Sequence, residues 1–249
     1  LIKNAAGEFQ EASWDEAYTH IVQGLQDIKA KYGSDSIGVL SSARCTNEEN
    51  YLLTKFARAI LNTNHIDHCA RLWHSPTVAG LATAFGSGAM TNSIEELAGS
   101  DVIFVIGSNT TEQHPLIGMR IMEAVKKKGA KLIVADPRKI RLSDFAAIDV
   151  RLTPGTNLAF INGILNVIVT EGLANQEFIS TRTEGYDEFK TTILEYTPEK
   201  AEKLTGISAE VIRKIARTYA KAKTASIVYA MGITQHVTGT ANVAALANL

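Results

Sequence analysis

Apolar and polar residues recur along this chain with two periods, and the two periods separate helices from strands. Between residues 13 and 32 apolar positions return every three or four residues, which predicts an amphipathic helix. Ser13 and Glu16 can form a capping box at its start, and Gly33 is a suitable stop. The chain therefore opens with a well-bounded helix.

Short apolar runs alternate with helical segments through the rest of the chain. Strands are predicted at about 37–41, 101–107, 131–135, 148–152 and 226–230. One helix is predicted from Pro115 to Gly129, another is predicted to be capped by Asn157, and the polar segment 62–68 is predicted to be a loop. This alternation predicts an α/β fold with an open, mostly parallel sheet and helices on both faces, a Rossmann-like arrangement.

Four polar loops follow four of these strands, and their position suggests a ligand site. They span 107–111, 136–139, 153–157 and 231–236. Open parallel sheets bind ligands at the carboxyl ends of their strands, where backbone amides and hydroxyls can hold phosphate and Asp136 can accept from ribose hydroxyls. A satisfied turn explains each loop taken singly, whereas four together favour a nucleotide site. No G-x-G-x-x-G follows the strand at 101–107, which argues against ordinary NAD binding.

Composition narrows the choice of partners. With 45% apolar and 20% charged residues and a net charge of −1, the chain has an ordinary globular balance and gives no reason to expect nucleic acid or an anionic membrane surface. No apolar run reaches the roughly 18 residues needed to span a bilayer, and no signal peptide is visible. Two cysteines, Cys45 and Cys69, indicate no disulfide framework, so a cytoplasmic location is expected.

The segment 69–76, Cys-Ala-Arg-Leu-Trp-His-Ser-Pro, carries the most specific signal in the chain. It resembles the active-site loop of molybdenum- or tungsten-dependent formate dehydrogenases, which reads Cys-Ala-Arg-x-(Sec or Cys)-His-(Gly or Ser)-Pro before Val-Ala-Gly-Leu. Val-Ala-Gly-Leu follows here at 78–81, and segments such as 136–139, 182–189 and 231–235 also resemble that family in order. The resemblance implies an internal fragment of a catalytic alpha subunit in the molybdopterin oxidoreductase family, with the formate dehydrogenase/DMSO reductase type of domain.

The resemblance also implies roles for single residues. His74 matches the family's catalytic histidine, which takes or relays a proton. Trp73 stands where the family places the selenocysteine or cysteine ligand of the metal, although an indole nitrogen has no free in-plane lone pair and cannot ligate. Seven positions match residues that contact a molybdopterin guanine dinucleotide carrying Mo or W: Asn109, Asp136, Arg138, Gly155, Asn157, Met231 and Gln235.

Two explanations of Trp73 stay open. Selenocysteine is encoded by TGA, which some translation systems read as tryptophan, so Trp73 marks a selenocysteine site; alternatively, the parent protein has lost catalysis. The intact His74 and its neighbours favour the first explanation. A TGA codon at position 73 would support the selenocysteine explanation, and a TGG codon would argue against it.

The resemblance finally implies how the chain is divided and what the parent protein does. Residues 1–68 are expected to be the N-terminal piece of one α/β domain, and 69–249 a Rossmann-like domain for the guanine dinucleotide, truncated at its C-terminal end. The parent is expected to oxidise formate to CO2, to pass electrons to further subunits or domains, and to hold a 4Fe-4S cluster outside this chain, which is expected to be inactive alone. The alternatives are another molybdopterin oxidoreductase, of the nitrate reductase type, or a non-catalytic scaffold subunit derived from the family.

Overall fold

The computed structural model describes all residues from 1 to 249, which form two compact units, Leu1–Leu72 and Trp73–Leu249. The strands are β1 Ile2–Lys3, β2 Phe9–Gln10, β3 Val39–Ser41, β4 Ile66–His68, β5 Val102–Ile106, β6 Lys131–Ala135, β7 Ile148–Val150 and β8 Ala225–Tyr229. The helices are α1 Trp14–Tyr32, α2 Asn47–Lys55, α3 Ala70–Trp73, α4 Ser75–Phe85, α5 Ile94–Leu97, α6 Thr110–Gln113, α7 Pro115–Lys128, α8 Asn157–Thr170, α9 Gln176–Arg182, α10 Tyr186–Leu194, α11 Pro198–Thr205, α12 Ala209–Ala220, α13 Met231–Thr234 and α14 Gly239–Asn248. No helix combines the length and the apolar character that crossing a bilayer requires.

In the first unit, capping residues close in sequence determine where α1 begins and ends, whereas pairing with the distant strand β3 determines β4. The predicted capping box is present, because Ser13 Oγ accepts from the Glu16 amide and the Glu16 carboxylate accepts from the Ser13 amide at 2.7 Å. The helix ends at Gly33, whose φ is 85°. The predicted loop at 62–68 is wrong in its last three residues, since β4 pairs in parallel with β3. Its sequence is too polar to show a strand period, so pairing with β3 decides its structure.

The second unit is built on a four-stranded parallel sheet with the order β7-β6-β5-β8. All five residues of β5 are buried, and alternate side chains point to opposite faces. Phe104 packs on one face together with α8 and α12, whereas Ile103 and Val105 pack on the other face with α7. The predicted parallel sheet with helices on both faces is therefore confirmed.

The predicted start of α8 is wrong in one detail. Asn157 does not cap the helix but is its first residue, and its buried side-chain amide donates to the Gly232 carbonyl at 3.4 Å. The residue that precedes the helix is Thr156, which makes no side-chain cap. The Asn157 amide thus ties the start of α8 to the segment that follows β8.

Strand order defines where this sheet offers a crevice. From β5 the chain adds β6 and then β7 on one side, and it returns after α12 to place β8 on the other side. The chain leaves β5 through α7 on one face of the sheet and leaves β8 through α14 on the other face. The gap between β5 and β8 therefore corresponds to the topological switch point where open parallel sheets bind ligands. The four polar loops predicted from the sequence all lie at the carboxyl edge of this sheet.

Candidate functional site

Two glycines bring the loops after β5 and β8 into backbone contact at the switch point. Gly232 N donates to Gly107 O at 3.0 Å. A Cβ built on Gly232 would lie 2.7 Å from both Cα and O of Gly107, and one built on Gly107 would lie 2.8 Å from the Gly232 carbonyl carbon. Gly107 also has a φ of 58°, a conformation that residues with a Cβ rarely adopt. Only glycine at both positions permits this approach.

A polar cluster surrounds the Gly232 carbonyl. Asn157 Nδ2 donates to it, and His236 Nε2 lies 2.8 Å from the same oxygen and 3.3 Å from Asn157 Nδ2. Because the oxygen is shared, the start of α8 and the loop after β8 hold each other in place. Three of the predicted cofactor positions, Asn157, Met231 and Gln235, belong to these two segments.

The loop after β6 presents an acidic and a basic group side by side. The Asp136 side chain is 7% exposed, and its Oδ1 accepts from the Arg138 amide at 2.9 Å. The Arg138 guanidinium lies 3.9 Å from the same oxygen and is largely exposed. Because the hydrogen bond and the ion-pair contact both use Oδ1, Oδ2 can accept from a ligand hydroxyl, while Arg138 can reach an anionic group.

The other predicted cofactor positions lie on the remaining strand-end loops. Asn109 is half-buried just before α6, and its Oδ1 accepts from Thr111 Oγ1 at 3.5 Å. Gly155 is exposed with a φ of 86°, and no atom lies within 4 Å of the place a Cβ would take. Met231 begins α13, and Gln235 follows it. All seven positions thus share one edge of the sheet.

His74 lies immediately before α4 and is half-buried. Its Nδ1 is 3.3 Å from Thr77 Oγ1, one helical turn further along. Burial lowers the pKa of His74 below its usual value, and electrostatic interaction with the neighbouring His114 side chain lowers it further. The imidazole is therefore neutral at pH 7 and able to accept a proton.

The backbone of residue 73 is bonded to the loop after β8. Thr234 Oγ1 donates to the Trp73 carbonyl oxygen. Helix α4, which follows, packs closely on α14, since a Cβ on Gly80 would lie 2.7 Å from Val243 Cγ1. The second unit thereby brings position 73 next to the loop that carries Met231 and Gln235.

In the first unit, Cys69 has its own polar surroundings. The Ala43 amide donates to Cys69 Sγ at 3.3 Å, and Ser42 Oγ lies 3.8 Å away. The amide of Ala43 lowers the pKa of this thiol, and a hydrogen bond with the His68 side chain lowers it further. Cys45 and Cys69 are both free.

Four residues that hold the site together were not predicted from the sequence: Thr77, Gly107, Gly232 and Thr234. Thr77 lies three residues after His74, and that spacing at a helix start was an available signal. The glycines after β5 and β8 were visible as residues, but their contact joins positions that are 125 apart. The bond from Thr234 to Trp73 spans 161 residues, and no local pattern reports such a contact.

Comparisons with known proteins agree on one family. The model of the molybdopterin oxidoreductase family matches residues 1–249. The F420-dependent formate dehydrogenase 1 subunit alpha of Methanococcus maripaludis is 54% identical over 98% of this chain and 35% of its own length. Formate dehydrogenase H of Escherichia coli is 43% identical over 99% of this chain and 34% of its own length. Acetylene hydratase from Pelobacter acetylenicus superposes with a TM-score of 0.77 at 29% identity, over 96% of this chain and 32% of that one. The chain thus spans about a third of the length of these proteins.

Proposed function

The chain belongs to the molybdopterin oxidoreductase family, and we propose that it forms part of the catalytic subunit of a formate dehydrogenase that oxidises formate to CO2. The main support is the segment 69–76, in which a neutral His74 follows a residue bonded to the loop after β8. Identities of 54% and 43% to proteins named formate dehydrogenases favour this reaction over others in the family. Fold alone does not select it, because a protein named acetylene hydratase has the same fold.

The residues at the carboxyl edge fit a dinucleotide form of the molybdopterin cofactor. Asp136 offers an acceptor for ribose hydroxyls, Arg138 offers a cation for phosphate, and the closely packed backbone of Gly107 and Gly232 leaves no side chain at the switch point. On this proposal the guanine dinucleotide would be held by Asn109, Asp136, Arg138, Gly155, Asn157, Met231 and Gln235. When bound, this group would supply a molybdenum or tungsten ion able to take up the two electrons of formate. The electrons would then pass to other domains or subunits, and a 4Fe-4S cluster is expected in the parent protein outside this chain.

The proposed role of His74 is to take the proton. Formate yields CO2, one proton and two electrons, so the site needs a base close to the substrate. When Nδ1 carries the ring proton and donates to Thr77 Oγ1, Nε2 has a free lone pair. Because burial lowers the pKa of His74, this lone pair stays unprotonated at neutral pH.

Position 73 is proposed to be the metal ligand, encoded by TGA as selenocysteine. Tryptophan supplies no donor atom for a metal, whereas a selenolate or thiolate is a soft donor suited to molybdenum and tungsten. Sequencing the gene tests this: TGA is expected at codon 73, and TGG would contradict it.

A cytoplasmic location of the parent protein is also proposed, and the two free cysteines support it.

Activity of the full-length protein tests the reaction. We expect formate-dependent dye reduction when residue 73 is selenocysteine or cysteine and none when it is tryptophan. His74→Gln in the active form is expected to lower kcat by about a hundredfold or more while metal content stays constant, because a positioned base contributes roughly 10²–10⁴. Active protein that is unaffected by His74→Gln would contradict the assignment.

A non-catalytic scaffold is the second candidate, and Trp73 is the observation that favours it. Metal analysis of the full-length protein carrying Trp73→Cys separates the two. A formate dehydrogenase should take up molybdenum or tungsten and gain activity. A scaffold should take up neither metal.

A further inference from the structure

A basic concavity lies at the opposite edge of the second unit's sheet, where the strands begin. It has a volume of about 760 Å³ and is bounded by the end of α7, the starts of β5 and β6, and α12 from Glu210 to its end. Six cationic side chains line it: Lys128, Lys131, Lys214, Arg217, Lys221 and Lys223. We call these six residues the basic surface. Only two carboxylates, those of Asp101 and Glu210, accompany them, although the chain as a whole has a net charge of −1.

The five lysines of the basic surface have no carboxylate partner. Arg217 is paired with Glu171 through two hydrogen bonds of 2.8 and 2.7 Å. No ion pair forms at any of the lysines, and the Asp101 carboxylate instead accepts from the Thr224 amide. Like charges held together repel one another, so the folded chain carries an electrostatic cost that an anionic partner would relieve.

Helix ends explain only part of the basic surface. Lys128 ends α7 and Lys221 follows α12, and cations at helix C-termini are stabilised by the helix dipole. Lys131 instead begins β6, and Lys214 lies in the middle of α12. Another reason is needed for these two lysines.

The surroundings favour a protein surface over a phosphate or a nucleic acid. Helix N-termini often supply amide donors to phosphate sites, but α7 and α12 both end at the concavity, where they present carbonyl groups. No aromatic side chain lines it to stack a base. Lysines are strongly hydrated point charges on flexible stems, and clusters of them attract a complementary acidic protein surface over long distances.

We propose that the basic surface docks an acidic surface of a partner protein. The five residues of β5 separate it from the strand-end loops by about 16 Å, so a docked partner leaves the carboxyl edge open. Attraction of this kind speeds association and weakens as salt screens the charges. The inference does not depend on which reaction the parent protein catalyses.

Poly-L-glutamate binding to the full-length protein is the test. Three forms are compared at 50 and 300 mM NaCl: the unaltered protein, Lys131→Glu/Lys214→Glu, and the control Lys190→Glu/Lys203→Glu, whose exposed lysines lie on α10 and α11. The first variant is expected to bind about tenfold more weakly at low salt, with a smaller difference at high salt. The control, with the same change in net charge, should change by less than about twofold.

Further arms keep the proposal falsifiable. Lys131→Gln/Lys214→Gln, which removes charge without reversing it, should give an intermediate loss and the same melting temperature as the unaltered protein. Equal losses in the surface and control variants would overturn the proposal. So would tighter, lysine-dependent binding of inorganic triphosphate or duplex DNA than of poly-L-glutamate. Formate-dependent dye reduction, measured on the same variants with selenocysteine or cysteine at position 73, reports on the proposed reaction separately.

Discussion

At the scale of single residues, the contact between Gly107 and Gly232 fixes the geometry of the switch point. Neither position can carry a side chain, because a Cβ on either glycine would overlap the backbone of the other. Backbone atoms cannot move aside as a flexible side chain can. A small substitution here should therefore displace the loop after β8, which also holds Trp73 through Thr234.

Gly232→Ala is accordingly expected to lower the free energy of unfolding by about 1–3 kcal/mol, the usual cost of forcing extra atoms into a closely packed place. Thermal unfolding measures this. Gly24→Ala is the matched control, since Gly24 lies inside α1 with nothing within 4 Å of its missing Cβ. Alanine there should stabilise the protein by up to about 1 kcal/mol through helix propensity. Equal melting temperatures for the two variants would contradict the steric argument.

Substitution of Thr77 tests the proposed site chemistry at the scale of a single residue, and the test assumes the proposed function. Thr77→Val removes the hydroxyl beside His74 Nδ1 and should lower kcat for formate by roughly tenfold, since the preferred tautomer is no longer fixed. Thr77→Ser retains the hydroxyl and should retain most of the activity. A change in KM alone, with kcat unaffected, would show that Thr77 does not act through His74.

At the scale of elements, the sequence was sufficient to predict a helix or strand where neighbouring residues alone determine its structure. The capping box of α1 was readable from two residues, and β6 was found at residues 131–135 because its apolar run ends sharply at Asp136. The strand β4 was missed because its polar residues acquire their structure from β3. Asn157 was misread as a helix cap because its true partner, Gly232, lies 75 residues away.

One ion pair between elements predicts how acid acts on the second unit. Glu171, just after α8, accepts two hydrogen bonds from Arg217 on α12, and these lower the pKa of its carboxyl below the usual 4.5. A lowered carboxyl pKa stabilises the fold above the unfolded pKa, and that stabilisation is lost as pH falls through the folded value. Glu171→Gln should therefore lower the melting temperature at pH 7 and have little effect near pH 3.

The matched control for this pair is Glu184→Gln, between α9 and α10, which removes the same charge from an exposed carboxylate with no ion pair and outside any helix. It should leave the melting temperature unchanged at both pH values. A similar loss for both variants at pH 7 would mean that net charge, and not the pair with Arg217, controls stability.

At the scale of the whole molecule, the sheet collects residues that the sequence keeps far apart. The strand-end loops span positions 107 to 236, yet a single edge of the sheet carries them all. Strand periodicity was enough to predict this common edge. It was not enough to predict how the loops touch, because close approaches such as the one at Gly107 depend on the finished packing.

Loading the full-length protein with its pterin cofactor should protect this edge selectively. A ligand that binds only the folded state suppresses local opening where it makes contact. Hydrogen exchange is therefore expected to slow in residues 107–111, 136–139, 153–157 and 231–236. Residues 128–131 and 221–224, at the opposite edge, serve as the internal control and should not change. Uniform slowing across both edges would contradict the assignment of these loops.

The order of the strands also sets the order in which the sheet can assemble. Val102 of β5 pairs with Lys131 of β6 only 29 residues later, but its partner in β8 is Ala225, 123 residues later. Closing the longer loop costs about 1.2 kcal/mol more in chain entropy. At roughly 5–20 residues per second, a ribosome takes about 5–20 s to synthesise the chain between Lys131 and Ala225. For that interval the apolar edge of β5 has no neighbour, so nascent chains are exposed to aggregation until β8 emerges and pairs with it.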